Sequence, residues 1–532
     1  MADVTKSQSL SAAPRLVAVI DVGSTAIRME IAELCPETGV RTLESLQQPA
    51  RLGKDTFTVG RIQQATIEEC VHILKGYRRI MEEYGITAPH QIEAVATSSV
   101  REAANRETFL DRIYMATQIN IEIISEAEAT RLTYMAVQEI LAADPDLKRE
   151  GVLVVEVGGG DTELLLVQEG SITYSNTFRL GTLRIRETLG TQNTSPQRAL
   201  GTLQKQIQLT VDQIHRSIPM GRMPHLVALS GEARFAASQL APDWRQTKLA
   251  RIDPKALATF ARKVAGQSPD GLVRTYRMNY PDAEALGAAL LAFAQFARVF
   301  NVENILVPKT SLRHGLLQEA LTGGAWTPEF MAQVEHSAIA LGAKYGFDEK
   351  HARQVADLAL QLYRALQSDH MLPPRYELFL RLAALLHEIG LFVSNRGYHR
   401  HSMYLIMNSD LFGLSHEDRL IVAMLARYHG RTTPQPHHEG FATLTRDARL
   451  AISKLAAILR VADALDRNRM QQVQDIRCTR EEGHFIVWVS DVEDLTLERL
   501  ALKEKESLFD DVYGMKVVFR TENSFEGVAP DV

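Results

Sequence analysis

The stretch VVEVGGGDTELLLV, residues 154–167, breaks an apolar run with three consecutive glycines and then resumes it. Buried strands on both sides of a turn without Cβ atoms are the reading that this pattern allows. The plan occurs twice. Residues 15–34, RLVAVIDVGSTAIRMEIAEL, open as a strand, turn at Gly23 and Ser24 and continue as a second strand. Each copy carries an acid just before its turn, Asp21 in one and Glu156 in the other. Two such units predict two similar α/β lobes facing each other across a cleft, a duplication of plan and not of sequence. Glycines in the turns admit two explanations. Without side chains, backbone N–H groups can come within reach of phosphate oxygens, positive φ is tolerated, and the Thr162 hydroxyl can add a donor. A hairpin made tight for packing would use the same residues, and two loops facing one cleft favour the first explanation.

From about Ala325 the pattern changes to apolar residues at helical spacing, as in HARQVADLALQLYRALQ and LFLRLAALLHEIGLF. Near the end GHFIVWVS, LTLERLALKEKESLF and MKVVFR read as strand, helix, strand. At 532 residues several domains are expected. The boundaries read as a disordered tail over 1–14, a first lobe over 15–135, a second over 136–322, a helical domain over 323–471 and a small α/β domain over 472–532. A hydrophobic content of 45% and a net charge of -6 give material for cores and no global signature of nucleic-acid binding. Any polyanion would have to meet a local basic patch. Trp244, Trp326 and Trp488 lie apart and offer no stacking platform. The three cysteines have no CxxC spacing, no stretch has eighteen uninterrupted apolar residues, and a reducing cytoplasm without a membrane partner fits.

An ordered series of motifs runs through the chain: AVIDVGSTAIRMEIAE, AVATSSVREAANRETFL, IEIISEAEATRLTYMAV, VVEVGGGDTELLLV, FRLGTLRI, HLVALSGEARFAA and LRHGLLQEAL. It resembles the exopolyphosphatase and guanosine pentaphosphate phosphohydrolase family, of the actin, hsp70 and sugar-kinase superfamily. The resemblance implies two actin-like, ribonuclease H-like lobes and hydrolysis of a terminal phosphoanhydride with Mg²⁺ or Mn²⁺ on inorganic polyphosphate or guanosine penta- or tetraphosphate. Residue by residue it implies phosphate binding by Gly23, Ser24, Thr25, Gly158, Gly159, Gly160, Thr162, Ser230 and Gly231. It implies metal binding by Asp21, Glu156, Asp161 and Glu163, and charge neutralisation by Arg101. The family's water-positioning glutamate falls on Ala129 in this chain. Glu126, three residues back on the same helical face, and the neighbouring Glu128 are the candidates to replace it. Asp161 stands where the family has serine, and a carboxylate about 4 Å from a phosphate costs on the order of 4 kcal/mol at an effective dielectric near 20.

In the helical half, His351, His387, Glu388 and Asp463 stand in the order of the metal ligands of HD phosphohydrolase domains, with His-Glu in place of the His-Asp pair. That similarity implies a second divalent metal, against the plainer reading of core histidines with one satisfied hydrogen bond each. Arg396, His399, Arg400, His401, Arg427, His429 and Arg431 form a basic set in an acidic chain, which would suit a channel for the tail of a polyanion. Family resemblance implies a homodimer. The reading is therefore a cytoplasmic exopolyphosphatase-like hydrolase. Two other classes stand beside it: a polyphosphate or guanosine-phosphate sensor without turnover, and an HD-type metal phosphohydrolase acting through the helical domain. A sugar kinase would need an adenosine site and a catalytic aspartate that nothing in the sequence marks.

Overall fold

A computed structural model describes residues 14–189, 196–218, 225–322, 326–409, 411–490, 492 and 494–521. The tail expected over 1–14 lies, apart from Pro14, outside the described residues. The chain divides into two compact units, Met1–Ala325 and Trp326–Val532.

In the first unit, strands β1 (Arg15–Val22), β2 (Ala26–Cys35), β3 (Gly39–Pro49), β4 (Ile92–Ala96) and β5 (Ile121–Ile123) form one sheet, in the order β3-β2-β1-β4-β5. A second sheet contains β6 (Val152–Val157), β7 (Thr162–Gln168), β8 (Ser171–Phe178), β9 (His225–Leu229), β10 (Leu249–Ile252) and β11 (Asn304–Pro308), in the order β10-β11-β9-β6-β7-β8. Both sheets begin with an antiparallel three-strand meander. The next strand then lies parallel to the first, β4 beside β1 and β9 beside β6. The duplication of plan thus extends beyond the two hairpins to the topology of both lobes. Strand β1 is buried on both faces, as its unbroken apolar run requires. Ala18, Ile20 and Val22 pack into one core, while Val17 and Val19 pack with Leu132, Leu316 and Leu317 in another.

The hairpin turns show what the glycines are for. Gly23 N donates to Ala26 O at 3.1 Å and Gly158 N to Asp161 O at 2.9 Å, closing each turn within itself. None of Gly23, Gly158, Gly159 and Gly160 has a positive φ, so the left-handed freedom expected of them is not used. Close approach is the reason instead. A Cβ on Gly159 would sit 2.8 Å from Ser24 Cβ, and one on Gly160 would meet Ser98 and lie 2.7 Å from Phe57 Cζ. The two hairpin loops touch each other backbone to side chain. Gly159→Ala is therefore expected to push the loops apart, lowering stability by about 1–3 kcal/mol. Thermal melts of the variant check the expectation.

Strand β4 carries Glu93, half-buried. Burial, and then the Glu319 carboxylate, push it up to about 7 against the opposing pull of Arg15 and Arg131. A carboxyl raised above its unfolded value stabilises while protonated, so its contribution is complete below about 4.5 and is lost as the pH rises through about 7. Glu93→Gln is expected to flatten this part of the stability profile between about pH 5 and pH 8. After solvent screening it should gain about 1–2 kcal/mol at the alkaline end, measurable by denaturant titration.

In the second unit, helices Pro328–Lys344, Glu349–Ala365, Arg375–Leu386, Tyr398–Met407, His416–Tyr428 and Arg446–Leu465 build an all-helical region. In Glu349–Ala365 the buried positions His351, Ala352, Val355, Ala356, Leu358, Ala359 and Leu362 follow the predicted helical spacing. A sheet of β12 (Ile476–Glu481), β13 (His484–Val489) and β14 (Lys516–Thr521) follows, in the order β12-β13-β14. It has one strand more than the sequence reading gave, and the intervening helix is broken into Thr496–Lys505 and Ser507–Tyr513. Among the described residues, no helix is long and apolar enough to cross a membrane.

Candidate active site

The two hairpin loops bound a cavity of about 140 Å³ in the first unit, which Asp21, Gly23, Ser24, Thr25, Glu156, Gly158, Gly159 and Gly160 all line. Gly158 O accepts from Thr182 N at 3.0 Å, Gly159 O from Leu183 N and Arg184 N at 3.0 and 3.1 Å, and Gly160 O from Arg184 Nε at 2.7 Å. The loop carbonyls thereby satisfy the first amides of the helix Thr182–Leu189. Ser230 and Gly231 also line the cavity; Ser230 caps the helix Gly231–Leu240, accepting from Ala233 N at 3.0 Å. A helix N-terminus at a cavity wall favours an anion. Thr162 does not serve as a donor to the cavity: it is fully buried and its hydroxyl donates to Leu180 O at 2.5 Å.

Two carboxylates dominate the chemistry. Glu156 and Glu163 are register partners across β6 and β7 and both line the cavity. Thr133 Oγ1 lies 2.7 Å from Glu156 Oε2 and 2.8 Å from Glu163 Oε2. One hydroxyl hydrogen can serve only one of them at a time, so the pair calls for a shared proton or a cation. Burial raises Glu163 well above the ordinary glutamate range, and the Glu156 charge adds to it. Glu156 is raised by burial and by Asp21, with the Thr133 hydrogen bond opposing. Hard oxygen donors in this arrangement fit Mg²⁺ or Mn²⁺.

Asp161 does not share in that arrangement. Arg101 Nη2 donates to it at 3.1 Å and Arg184 Nη2 lies 3.3 Å from its other oxygen. Burial raises its pKa, while Arg184 and Arg101 pull the other way. The repulsion expected between Asp161 and a phosphate is therefore countered by two guanidinium groups, and Arg101 is committed to Asp161 and to Ile124 O at 2.9 Å. Of the water-orienting candidates, Glu128 turns to Arg131 at 3.3 Å, on the rim of another ion pair. Glu126, the first residue of its helix and 59% exposed, sits 3.7 Å from Arg101. Ala129 lines the cavity, and Thr133 lies one helical turn further along the same face.

Arg28, Arg234 and Arg313 line the same cavity, and sequence reasoning assigned none of them. Arg28 is the register partner of Asp21, which could have marked it, and Arg234 lies in the first turn after the Ser230 cap. Arg313 lies 3.5 Å from Asp21 and 3.4 Å from Glu30. Burial, with Arg313 and Arg28 beside it, lowers Arg234 to about 10. Three neighbouring cations facing an acidic pair suit a highly charged anion bound with a metal ion.

A profile of the Ppx/GppA phosphatase family matches residues 31–323, and its domain III matches residues 334–508. The chain belongs to the Ppx/GppA phosphatase family. A guanosine-5'-triphosphate,3'-diphosphate pyrophosphatase of Aeromonas hydrophila is 25% identical over 462 residues, covering 86% of this chain and 88% of that one. One from Aliivibrio fischeri is 21% identical, covering 84% of this chain and 87% of that one. Among solved structures, an exopolyphosphatase from Cytophaga hutchinsonii is similar with a TM-score of 0.53 at 19% identity, over 58% of this chain and 98% of that one. The last comparison bears on fold alone, an actin-like mixed α/β architecture. Membership makes this a phosphohydrolase chain, in which the Glu156–Glu163 pair and the three arginines stand at the cleft.

The second unit of this family member holds a separate cluster. His351 Nε2 and His387 Nε2 lie 3.6 and 3.8 Å from Asp463 Oδ1. Glu388 stands 4.0 Å from His351 Nε2, but both its oxygens accept from Arg469 at 2.8 and 2.7 Å, so it is held to the arginine. The basic set divides. His399, Arg400, His401 and Arg427 lie together: burial and then Arg400, Arg427 and His401 hold His399 below its ordinary value. Arg396 is exposed. His429 leaves the set, being fully buried with its ring against His387 and its Nε2 on Tyr398 Oη at 3.0 Å. Arg431 is exposed and paired with Glu504 at 2.6 Å.

Proposed function

We propose that the cleft of the first unit hydrolyses the terminal phosphoanhydride of inorganic polyphosphate or guanosine pentaphosphate with Mg²⁺ or Mn²⁺. The observation that carries this is the placing of Arg28, Arg234 and Arg313 in one cavity with the Glu156–Glu163 pair. Arg28, Arg234 and Arg313 receive the terminal phosphate, with the Gly231 helix N-terminus and the loop of Gly158–Gly160 beside it. Glu156 and Glu163, with Asp21 near them, would hold the divalent ion, which would supply neutralisation of developing charge. Thr133 keeps the two carboxylates together, and a glutamate oxygen that the ion leaves free accepts the proton of the attacking water. This role falls to them because Ala129 presents only a methyl group. Glu126, tethered near Arg101, stands as the alternative acceptor.

The curated relatives' names favour the guanosine nucleotide and the solved relative's name favours polyphosphate. On the second unit, His399, Arg400 and His401 offer a basic surface to a polyanion, with the charge of the buried Arg427 beside them. Free cysteines agree with a cytoplasmic setting, family resemblance with a homodimer, and the net charge of -6 with no nucleic-acid partner. The ratio of kcat/KM on the two substrates, each with Mg²⁺ and with Mn²⁺, tests the assignment. A chelator should abolish release on both, and metal-independent release would overturn the reading. Binding without turnover is the second reading, favoured by Ala129 alone.

A further inference from the structure

The helices Pro196–Ser217, Pro254–Ala265 and Tyr280–Val299 of the second lobe bound a cavity of about 470 Å³ that shares no residue with the cleft. The first two both pack on the third. Along Pro254–Ala265 the lining positions Lys255, Ala258 and Arg262 share one helical face, and along Tyr280–Val299 so do Leu291, Ala294 and Arg298. Buried apolar side chains, Ile207, Leu291 and Val302, make part of the wall. Lys255, Arg262 and Arg298 line it as well, all three exposed, and among the described residues no carboxylate does. In a chain of net charge -6, a wall with three cations and no acid departs from the average surface and attracts an anion. The size falls within the roughly 300–1,000 Å³ of small-molecule sites.

The cations are divided between two ends. Lys255 and Arg262 stand seven positions apart, about 10 Å along the helix axis. A Cβ on Gly287 would lie 3.2 Å from Ala265 Cβ. From that meeting the lining positions continue down to Lys255 on one helix and up to Arg298 on the other, so the two helices run antiparallel. Arg298 therefore lies toward Lys255, Arg262 lies toward Leu291, and Ala258 and Ala294 come between. At the Arg298 end Gln295 also lines the cavity. Its Oε1 accepts from Arg298 Nε at 3.1 Å, while its Nε2 is buried without a hydrogen-bond partner. Buried donors without acceptors are uncommon, and an anionic oxygen would satisfy this one.

We propose that this cavity binds an amphipathic dianion of the aliphatic dicarboxylate class, one acidic group at Lys255 and Arg298, the other at Arg262, and the hydrocarbon body across the apolar wall. A monoanion would leave one cationic end unmatched. An inorganic polyanion would leave the apolar side chains uncovered. The site is separate from the phosphate cleft and does not rest on the activity proposed there.

The test is calorimetric titration of the full-length protein with azelate, a linear dicarboxylate whose two carboxyl carbons lie a similar distance apart, and with nonanoate, its single-headed counterpart. One equivalent of azelate is expected to bind, about tenfold or more tighter than nonanoate. Arg262→Met, a change at an exposed position, should bring azelate down to the nonanoate level and leave nonanoate unchanged. Ala294→Glu should abolish binding of both, with Lys255→Met as the substitute, weakening both, if that variant misfolds. Glu163→Gln in the cleft should change neither. No azelate binding, equal affinities for the two probes, or azelate binding that Arg262→Met leaves intact would overturn the proposal. Tripolyphosphate binding that Arg262→Met weakens, with no azelate binding, would overturn it in favour of a groove for inorganic polyanions.

Discussion

Glu163→Gln is expected to fold like the wild type and to release phosphate about 10³-fold more slowly, a loss of about 4 kcal/mol in transition-state stabilisation. The substitution keeps shape and the oxygen that Thr133 reaches, and removes the charge. Burial and the neighbouring Glu156 already raise Glu163 well above the ordinary glutamate range, so the amide resembles the form the metal-free cleft prefers. The variant should therefore melt no lower than the wild type without metal, and should lose the stabilisation that Mg²⁺ gives the wild type. That pairing of results distinguishes loss of a ligand or proton acceptor from damage to the fold. Phosphate-release kinetics and melting curves with and without Mg²⁺ provide both readings.

Arg313→Met should lower kcat/KM by about 10²-fold to 10³-fold, or roughly 3–4 kcal/mol. Arg313 is held at 3.5 Å from Asp21 through Nη1 and at 3.4 Å from Glu30 through Nε. A guanidinium fixed by ion pairs at the cavity wall is ready to receive phosphate oxygens. Arg234 and Arg28 stand beside it, so like-charge repulsion stores a cost that a bound anion relieves. Because that repulsion falls in the variant, the metal-free protein should not be destabilised in proportion to the lost activity. The comparison is kcat and KM measured separately, with the larger change in KM if Arg313 binds substrate and transition state alike.

The strands of both lobes were legible because β1 and β6 are buried on both faces and read as unbroken apolar runs around a glycine turn. The duplicated plan could be read from Asp21 and Glu156, each one residue short of the end of its strand. The use of the glycines could not be read, because Gly159 is required by Ser24 and Gly160 by Ser98 and Phe57, residues distant in sequence. The same applies to Asp161. Its sequence position suggests repulsion of phosphate or metal binding, and only the approach of Arg101 and Arg184 shows that its charge is already matched. Thr133 carries no motif and acquires meaning only from the two glutamates it joins. In the second unit the order of His351, His387 and Asp463 was visible, whereas Lys505, which pairs with Asp463 from 42 positions beyond it, came from a helix read as a solvated face.

The measurement that bears most directly on the central claim is phosphate release by the wild-type chain from guanosine pentaphosphate and from inorganic polyphosphate, with the bound fraction measured in parallel. Release well above a Mg²⁺-only blank, with saturation matching the bound fraction, is the predicted result and would mean that the cleft cuts without a glutamate at position 129. Full binding with release no faster than the blank would contradict it and leave the lobes as a sensor.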